Sequence, residues 1–382
     1  MSTAATAPTA GHSVMAQAKN RQATFFDKVQ QRSWGIVTYG MTPPKASTES
    51  AKLPELAATQ QERLKSLNID AVVIYDIHDE AERTAAMAPR PFPFAETLDG
   101  FTYARDYLGD VGVPYVHFRC IAKYTKSQFA SYCEQQAAAS STGSSTASPV
   151  VTSSPTSAVF VGAAASTQQL DFTMQDAYAM RQALCPTLPL GGVAIAERHQ
   201  AKGTEHLRMV QKQTEGGCSY FITQCVYNLE EAKNLLSDYY YHCRRQGLAM
   251  VPILVTLTPC GSKKSLEFLE WLGVKVSKWI TNDLLLTTRE GGILEESVEA
   301  LVHMFRDLAL FAAAKGIPLG CNVESVAIRR AEIEASMALV ATVQQILAEV
   351  AMMPRPARSP TTIGVPAVPY PYPMPSVSAA AA

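Results

Sequence analysis

The chain has 382 residues, and its 33 Lys plus Arg against 34 Asp plus Glu give a formal net charge of −1. That balance argues against recognition of nucleic acid or membranes through bulk charge, and a hydrophobic share of 47% excludes a wholly disordered chain. No apolar run approaches the roughly 20 residues of a bilayer span. Eight cysteines without Cys-x-x-Cys or zinc-like spacing read as reduced core thiols.

Residues 1–33 are small and polar and are expected to form a disordered extension. A transit peptide is the alternative, because no acid precedes Asp27 while Lys19 and Arg21 are present. From there short β-rich runs alternate with helical patterns. The runs cover residues 34–39, 71–76, 114–120, 158–162, 192–196, 220–224, 250–255 and 319–323. Most are continuously apolar, as suits parallel strands buried on both faces. Between them, Thr125 with Gln128 forms a capping box. Thr204 precedes a helical stretch over 205–215 that Gly216 and Gly217 end. Asn228 with Glu231 opens another helix.

Residues 135–157 are a Ser/Thr/Ala low-complexity insert. Residues 353–382 carry repeated prolines and are expected to be a disordered tail. The pattern predicts one domain over 34–352, a (β/α)8 TIM barrel of the α/β class interrupted by the insert. An open doubly wound sheet is the alternative, weakened because no strand leads into Gly-x-Gly-x-x-Gly and no Walker A sequence exists.

In a barrel, chemistry collects where strands end at their carboxyl side. The polar residues there are Tyr39, Asp76, His78, His117, Glu197, His199, Gln224, Asn322 and Glu324. Each has a plainer reading: His117 as a core histidine, Gln224 as a helix cap, Glu324 as the partner of Arg329 or Arg330. Residues 259–265 (PCGSKKS) read either as an ordinary turn or as a phosphate cradle. The scattered histidines give no metal-ligand spacing, so no metal is expected, and no Gly-x-Ser-x-Gly elbow is present.

Gly192-Val-Ala-Ile-Ala-Glu197-Arg-His199, followed by an amphipathic helix and Glu215-Gly-Gly-Cys-Ser-Tyr-Phe-Ile-Thr-Gln224, resembles methylenetetrahydrofolate reductase. Pro43-Pro44, His117-Phe-Arg-Cys120 and Arg330-Ala-Glu332 extend the resemblance over residues 34–340. It implies a barrel oxidoreductase of one-carbon metabolism and methionine biosynthesis. Such an enzyme reduces 5,10-methylenetetrahydrofolate to 5-methyltetrahydrofolate with hydride from NAD(P)H by way of FAD. By position, His117, His199 and Lys212 would contact FAD, and Gln224 and Arg330 the folate.

The chain departs from that pattern at several positions. Gly40 stands where the family places its catalytic glutamate, Val161-Gly162-Ala163-Ala164 where it has Arg-Gly-Asp, Ile195 for a tyrosine and Gln213 for a second lysine. The proton is then expected from another wall, from Asp76, Glu197 or Glu324, with His78 as a further candidate. A folate is the expected partner, with no nucleic acid and no membrane, and a homo-oligomer is compatible with the reading. The expected location is cytoplasmic, with mitochondrial as the alternative. Two other functions fit the same residues. One is a folate-binding barrel without turnover. The other is an interaction protein whose proline-rich tail docks an aromatic groove.

Overall fold

A computed structural model of the chain describes residues 23–78, 89–141, 156–163 and 168–354. The segments 1–22, 142–155 and 355–382, which carry most of the expected extension, insert and tail, lie outside the described residues. The described elements run in order: α1 (Phe25–Gln30), β1 (Val37–Met41), α2 (Leu53–Lys65), β2 (Ala71–Ile74) and α3 (Gly100–Tyr103). There follow β3 (Tyr115–Cys120), α4 (Lys126–Ser141), β4 (Thr156–Val161), α5 (Met174–Leu184), β5 (Leu190–Ala194), α6 (Ala196–Lys202) and α7 (Glu205–Thr214). The last group is β6 (Cys218–Cys225), α8 (Leu229–Gln246), β7 (Ile253–Leu257), α9 (Lys263–Trp271), α10 (Lys278–Leu286), α11 (Gly292–Lys315), β8 (Leu319–Glu324) and α12 (Arg330–Met352).

The eight strands are parallel and close into a barrel in sequence order, β8 returning to β1. This is the (β/α)8 architecture expected from the apolar runs. Alternation along each strand divides the core in two. Ile36, Ala71, Val73, Val116, Val159, Tyr220, Ile222 and Leu254 fill the barrel interior. Val37, Val72, Ile74, Phe160, Phe221 and Val255 face the helices.

Boundaries shift where backbone chemistry requires it. The run expected from 250 begins at Ile253, because Pro252 has no N–H and instead offers its carbonyl to Phe221 N (2.8 Å). The run expected from 192 begins at Leu190. It includes Gly191, where any Cβ would lie 2.5 Å from the Tyr220 ring. Two of the three expected caps form as read. Thr125 and Gln128 exchange reciprocal bonds (2.8 and 3.3 Å), and Asn228 accepts from Glu231 N (3.3 Å). Thr204 makes no side-chain cap.

Within the expected N-terminal extension, residues 25–30 are ordered as α1. Thr24 and Asp27 form its capping box, and Phe25 is buried edge-to-face on Tyr220 at 5.4 Å. This helix closes the amino-terminal end of the barrel with the apolar side chains of Phe25 and Val29. At the other end of the chain, α12 is long and apolar enough in composition to cross a membrane (mean hydropathy 1.4). Here it is the final barrel helix, burying Leu339, Val340, Val343, Ile346, Leu347 and Val350 against the barrel and α11. All eight cysteines are buried and unbridged.

Candidate site at the carboxyl-terminal mouth

The barrel interior becomes polar towards the strand ends. Thr38 Oγ donates to Asn322 Oδ1 (2.8 Å), and Asn322 Nδ2 donates to Tyr75 Oη (2.8 Å). The same amide reaches Thr256 Oγ (3.4 Å) and Glu324 Oε2 (3.5 Å). Tyr75 Oη donates onward to the Glu324 carboxyl. The ladder ends on Glu324, whose Oε1 also accepts from the Cys225 thiol (3.3 Å). Burial pushes the Glu324 carboxyl up from the ordinary carboxylate range, and these donors offset only part of the shift. Burial also raises the Tyr75 phenol and the Cys225 thiol well above their usual values.

Above this ladder lies a cleft of about 90 Å³ lined by Tyr75, Phe118, Val193, Ile222, Thr223, Gln224, Cys225, Thr256 and Glu324. A bulge in β6 shapes it. Ile222 pairs with Leu254 but Cys225 with Thr256, three steps against two. The extra residue brings Cys225 to Glu324 while leaving Gln224 on the cleft wall. Thr256 fixes the bulge by donating from its N to Thr223 Oγ (2.9 Å) and from its Oγ to Thr223 O (2.7 Å). Gln224 Nε2 donates to Leu272 O (3.1 Å), which leaves its amide oxygen available as an acceptor.

Of the residues singled out from the sequence, Gln224 and Glu324 line this cleft together. Glu197, in the first turn of α6, accepts from Lys275 N (3.3 Å), and its charge acts on Cys225. Asp76 is buried away from the cleft. It accepts from Cys120 N (2.8 Å), Lys123 Nζ (2.6 Å) and Tyr124 Oη (2.9 Å), tying the end of β2 to the loop after β3. Arg330 is exposed and pairs with Glu334 (2.6 Å). Tyr75, Cys225 and Thr256 were not among the sequence candidates. The signal for Tyr75 was its even spacing from Ala71 and Val73, which places it on their face of β2.

The three residues that the resemblance assigns to FAD do not meet. His117 points outward from β3 between Tyr115 and Phe101. Burial first, and then the nearby Arg119 charge, push it down to about 3. His199 pairs with Asp238 of α8 (3.1 Å). Lys212 is buried in α7, donates to Val193 O (2.5 Å), and is lowered by that burial. None of the three lines the cleft, whose volume is far below the roughly 300–1,000 Å³ of sites that enclose a whole cofactor-sized ligand.

The loop over 259–265 is not free to hold a phosphate. Its Gly261 N (2.8 Å) and Ser265 Oγ (2.9 Å) both donate to Glu332 Oε1, so the chain's own carboxylate occupies the anion position at the start of α9. The ordinary-turn reading is the one that the geometry supports.

No protein-family model matches the chain, and no curated protein matches it. Among solved structures it is similar to an uncharacterized protein from Clostridium thermocellum that binds two copies of 5-methyl-5,6,7,8-tetrahydrofolic acid. The two share 42% identity with a TM-score of 0.70, over 84% of this chain and 99% of that one. It is also similar to an intracellular xylanase from Thermoanaerobacterium saccharolyticum (10% identity, TM-score 0.41, 81% and 90% covered). A dihydropteroate synthase from Coxiella burnetii stands alike (11%, 0.40, 83% and 95%). At those identities and scores, neither of the last two carries an argument about this chain.

Proposed function

We propose that this chain, which belongs to the family of the Clostridium thermocellum barrel protein, binds a reduced folate at the mouth formed by its strand ends, with the ring edge entering the cleft beside Glu324. The relative's bound 5-methyltetrahydrofolate supports the ligand class. The cleft's size supports entry of a ring edge rather than a whole molecule. Gln224 supplies an amide to the pterin's donor and acceptor edge, and Phe118 and Ile222 supply apolar walls.

The finer reading is reduction of 5,10-methylenetetrahydrofolate. Its supporting observation is that Glu324, a buried carboxyl with a raised pKa, is the register partner of Gly40, the position at which the resembling reductases carry their acid. Glu324 would give its proton to N10. The N10–methylene bond then breaks and leaves a 5-iminium cation. Hydride from NAD(P)H adds to that carbon, giving the 5-methyl group and NAD(P)⁺. Because none of His117, His199 and Lys212 lines the cleft beside Glu324, the hydride is proposed to pass directly from the nicotinamide.

The test is calorimetric titration with 5-methyltetrahydrofolate, together with anaerobic NADH and NADPH oxidation in the presence of 5,10-methylenetetrahydrofolate. Saturable binding with methylene-dependent oxidation by a colourless protein is expected. Binding without oxidation would leave a folate-binding barrel, the second reading, which the relative's bound ligand favours by itself. A yellow protein that bleaches with nicotinamide would overturn direct transfer. No folate binding would overturn both readings.

A further inference from the structure

On the outer side of β5 and β6, three consecutive helices bring three imidazoles and a carboxylate to one place. His199 comes from α6, His206 from α7, and Asp238 and His242 from α8, where the spacing of four puts the last two on one helix face. One donor atom each from His199, His206 and Asp238 lie within 4.8 Å of one another. His199 Nε2 is already 3.1 Å from Asp238 Oδ2. The rings stack edge to face in series, His199 on His206 at 5.4 Å between centroids and His206 on His242 at 5.7 Å.

We propose that this cluster is a binding site for a divalent transition ion of the zinc class, held by His199, His206 and Asp238 with His242 as the fourth ligand. The ligand set of imidazoles plus one carboxylate selects such an ion over magnesium or calcium, which take oxygen cages. Zinc ligands at about 2.0–2.2 Å stand roughly 3.3–3.6 Å apart around a tetrahedron, so the donors of His199, His206 and Asp238 need to close by only about 1 Å. His199 and His206 are almost wholly buried, and the Nδ1 of His199 has no partner among the described residues. Arg245 of α8, whose charge acts on both His206 and His242, opposes a second positive charge and is the cost that the ion must overcome.

Nothing in the folate reading requires this site, which lies outside the barrel. Its consequence is mechanical. The ion would brace α6, which carries Glu197 towards Cys225, against α7 and α8.

The experiment is thermal unfolding and calorimetry of the full, metal-stripped chain with Zn²⁺, Co²⁺ and Mg²⁺. Zinc and cobalt are expected to bind at one equivalent per chain and raise the melting temperature, with magnesium inert. Cobalt is expected to show the visible absorption of a four-coordinate nitrogen and oxygen site. Asp238→Asn, at a half-buried position, and His242→Gln should each weaken binding at least about tenfold, since even outer-shell partners are worth about 10–100-fold. Failure of zinc and cobalt to shift the melting temperature of the unsubstituted chain would overturn the proposal. So would undiminished binding in whichever of the two variants folds.

Discussion

Gly40 of β1 and Glu324 of β8 are direct partners across the seam that closes the barrel. A Cβ on Gly40 would lie 2.8 Å from the Tyr75 ring and 3.1 Å from Glu324 Cβ. The space that a side chain at position 40 would fill is therefore already taken by Tyr75 and Glu324. At the mouth of the barrel a carboxyl stands on the strand adjacent to position 40.

If Glu324 delivers the proton, Glu324→Gln keeps the shape and one acceptor oxygen but turns the other into an NH2 and removes the transferable proton. Turnover of 5,10-methylenetetrahydrofolate is expected to fall about 10²–10⁴-fold, while calorimetric affinity for 5-methyltetrahydrofolate changes little. Unchanged turnover would exclude Glu324 as the acid.

Placing a glutamate back at position 40 should not rescue that variant. Gly40→Ala already forces the Tyr75 ring to move, and overpacking of this kind costs about 1–3 kcal/mol. Gly40→Glu in the Glu324→Gln background is expected to be less stable in urea unfolding and no more active. A gain in turnover would show that the two positions are interchangeable.

Asp76 offers a contrast between support and chemistry. Its carboxylate holds three donors in a nearly water-free position. Asp76→Ala leaves Lys123 without its carboxylate, with only Ile77 O (2.9 Å) to accept from it, and should cost about 3 kcal/mol of unfolding free energy. Turnover per folded molecule should stay within a few-fold. A large drop in turnover at full stability would instead make Asp76 a participant in the reaction.

His117 predicts a pH effect. Its folded pKa of about 3 lies below the ordinary 6.5 because burial penalises the cation, with Arg119 adding to the effect and Asp99 opposing it. A depressed value means that the contribution is fully present above pH 6.5 and is lost as pH falls towards 3. Between pH 7 and pH 5 that loss amounts to about 2 kcal/mol at roughly 1.36 kcal/mol per pH unit. His117→Phe, which suits neighbours Phe101 and Tyr115, should flatten this limb in denaturant titrations across pH. An identical acid limb in the variant would place the protonation elsewhere.

The eight strands could be read from sequence because parallel strands covered on both faces are uninterrupted apolar runs. Glu324 and Gln224 could be read because each is a polar residue at the end of such a run. Side-chain direction was harder. His117 sits in an apolar strand, yet its neighbours Val116 and Phe118 take the interior, so the histidine faces the helices. That assignment needs register, which a single strand does not carry. The β6 bulge breaks the alternation altogether, and for this reason Cys225 was not foreseen beside Glu324. The helix α1 escaped notice because six residues with two buried side chains make a weak periodic signal.

The filled interior above that short helix has a consequence for traffic. With Ile36, Val73, Tyr220 and Leu254 filling its interior and Phe25 seated beneath them, the barrel is a cup rather than a tunnel. Whatever enters beside Glu324 must back out through the same doorway. A donor and an acceptor could not arrive from opposite ends, so two substrates would have to share one opening or take turns at it.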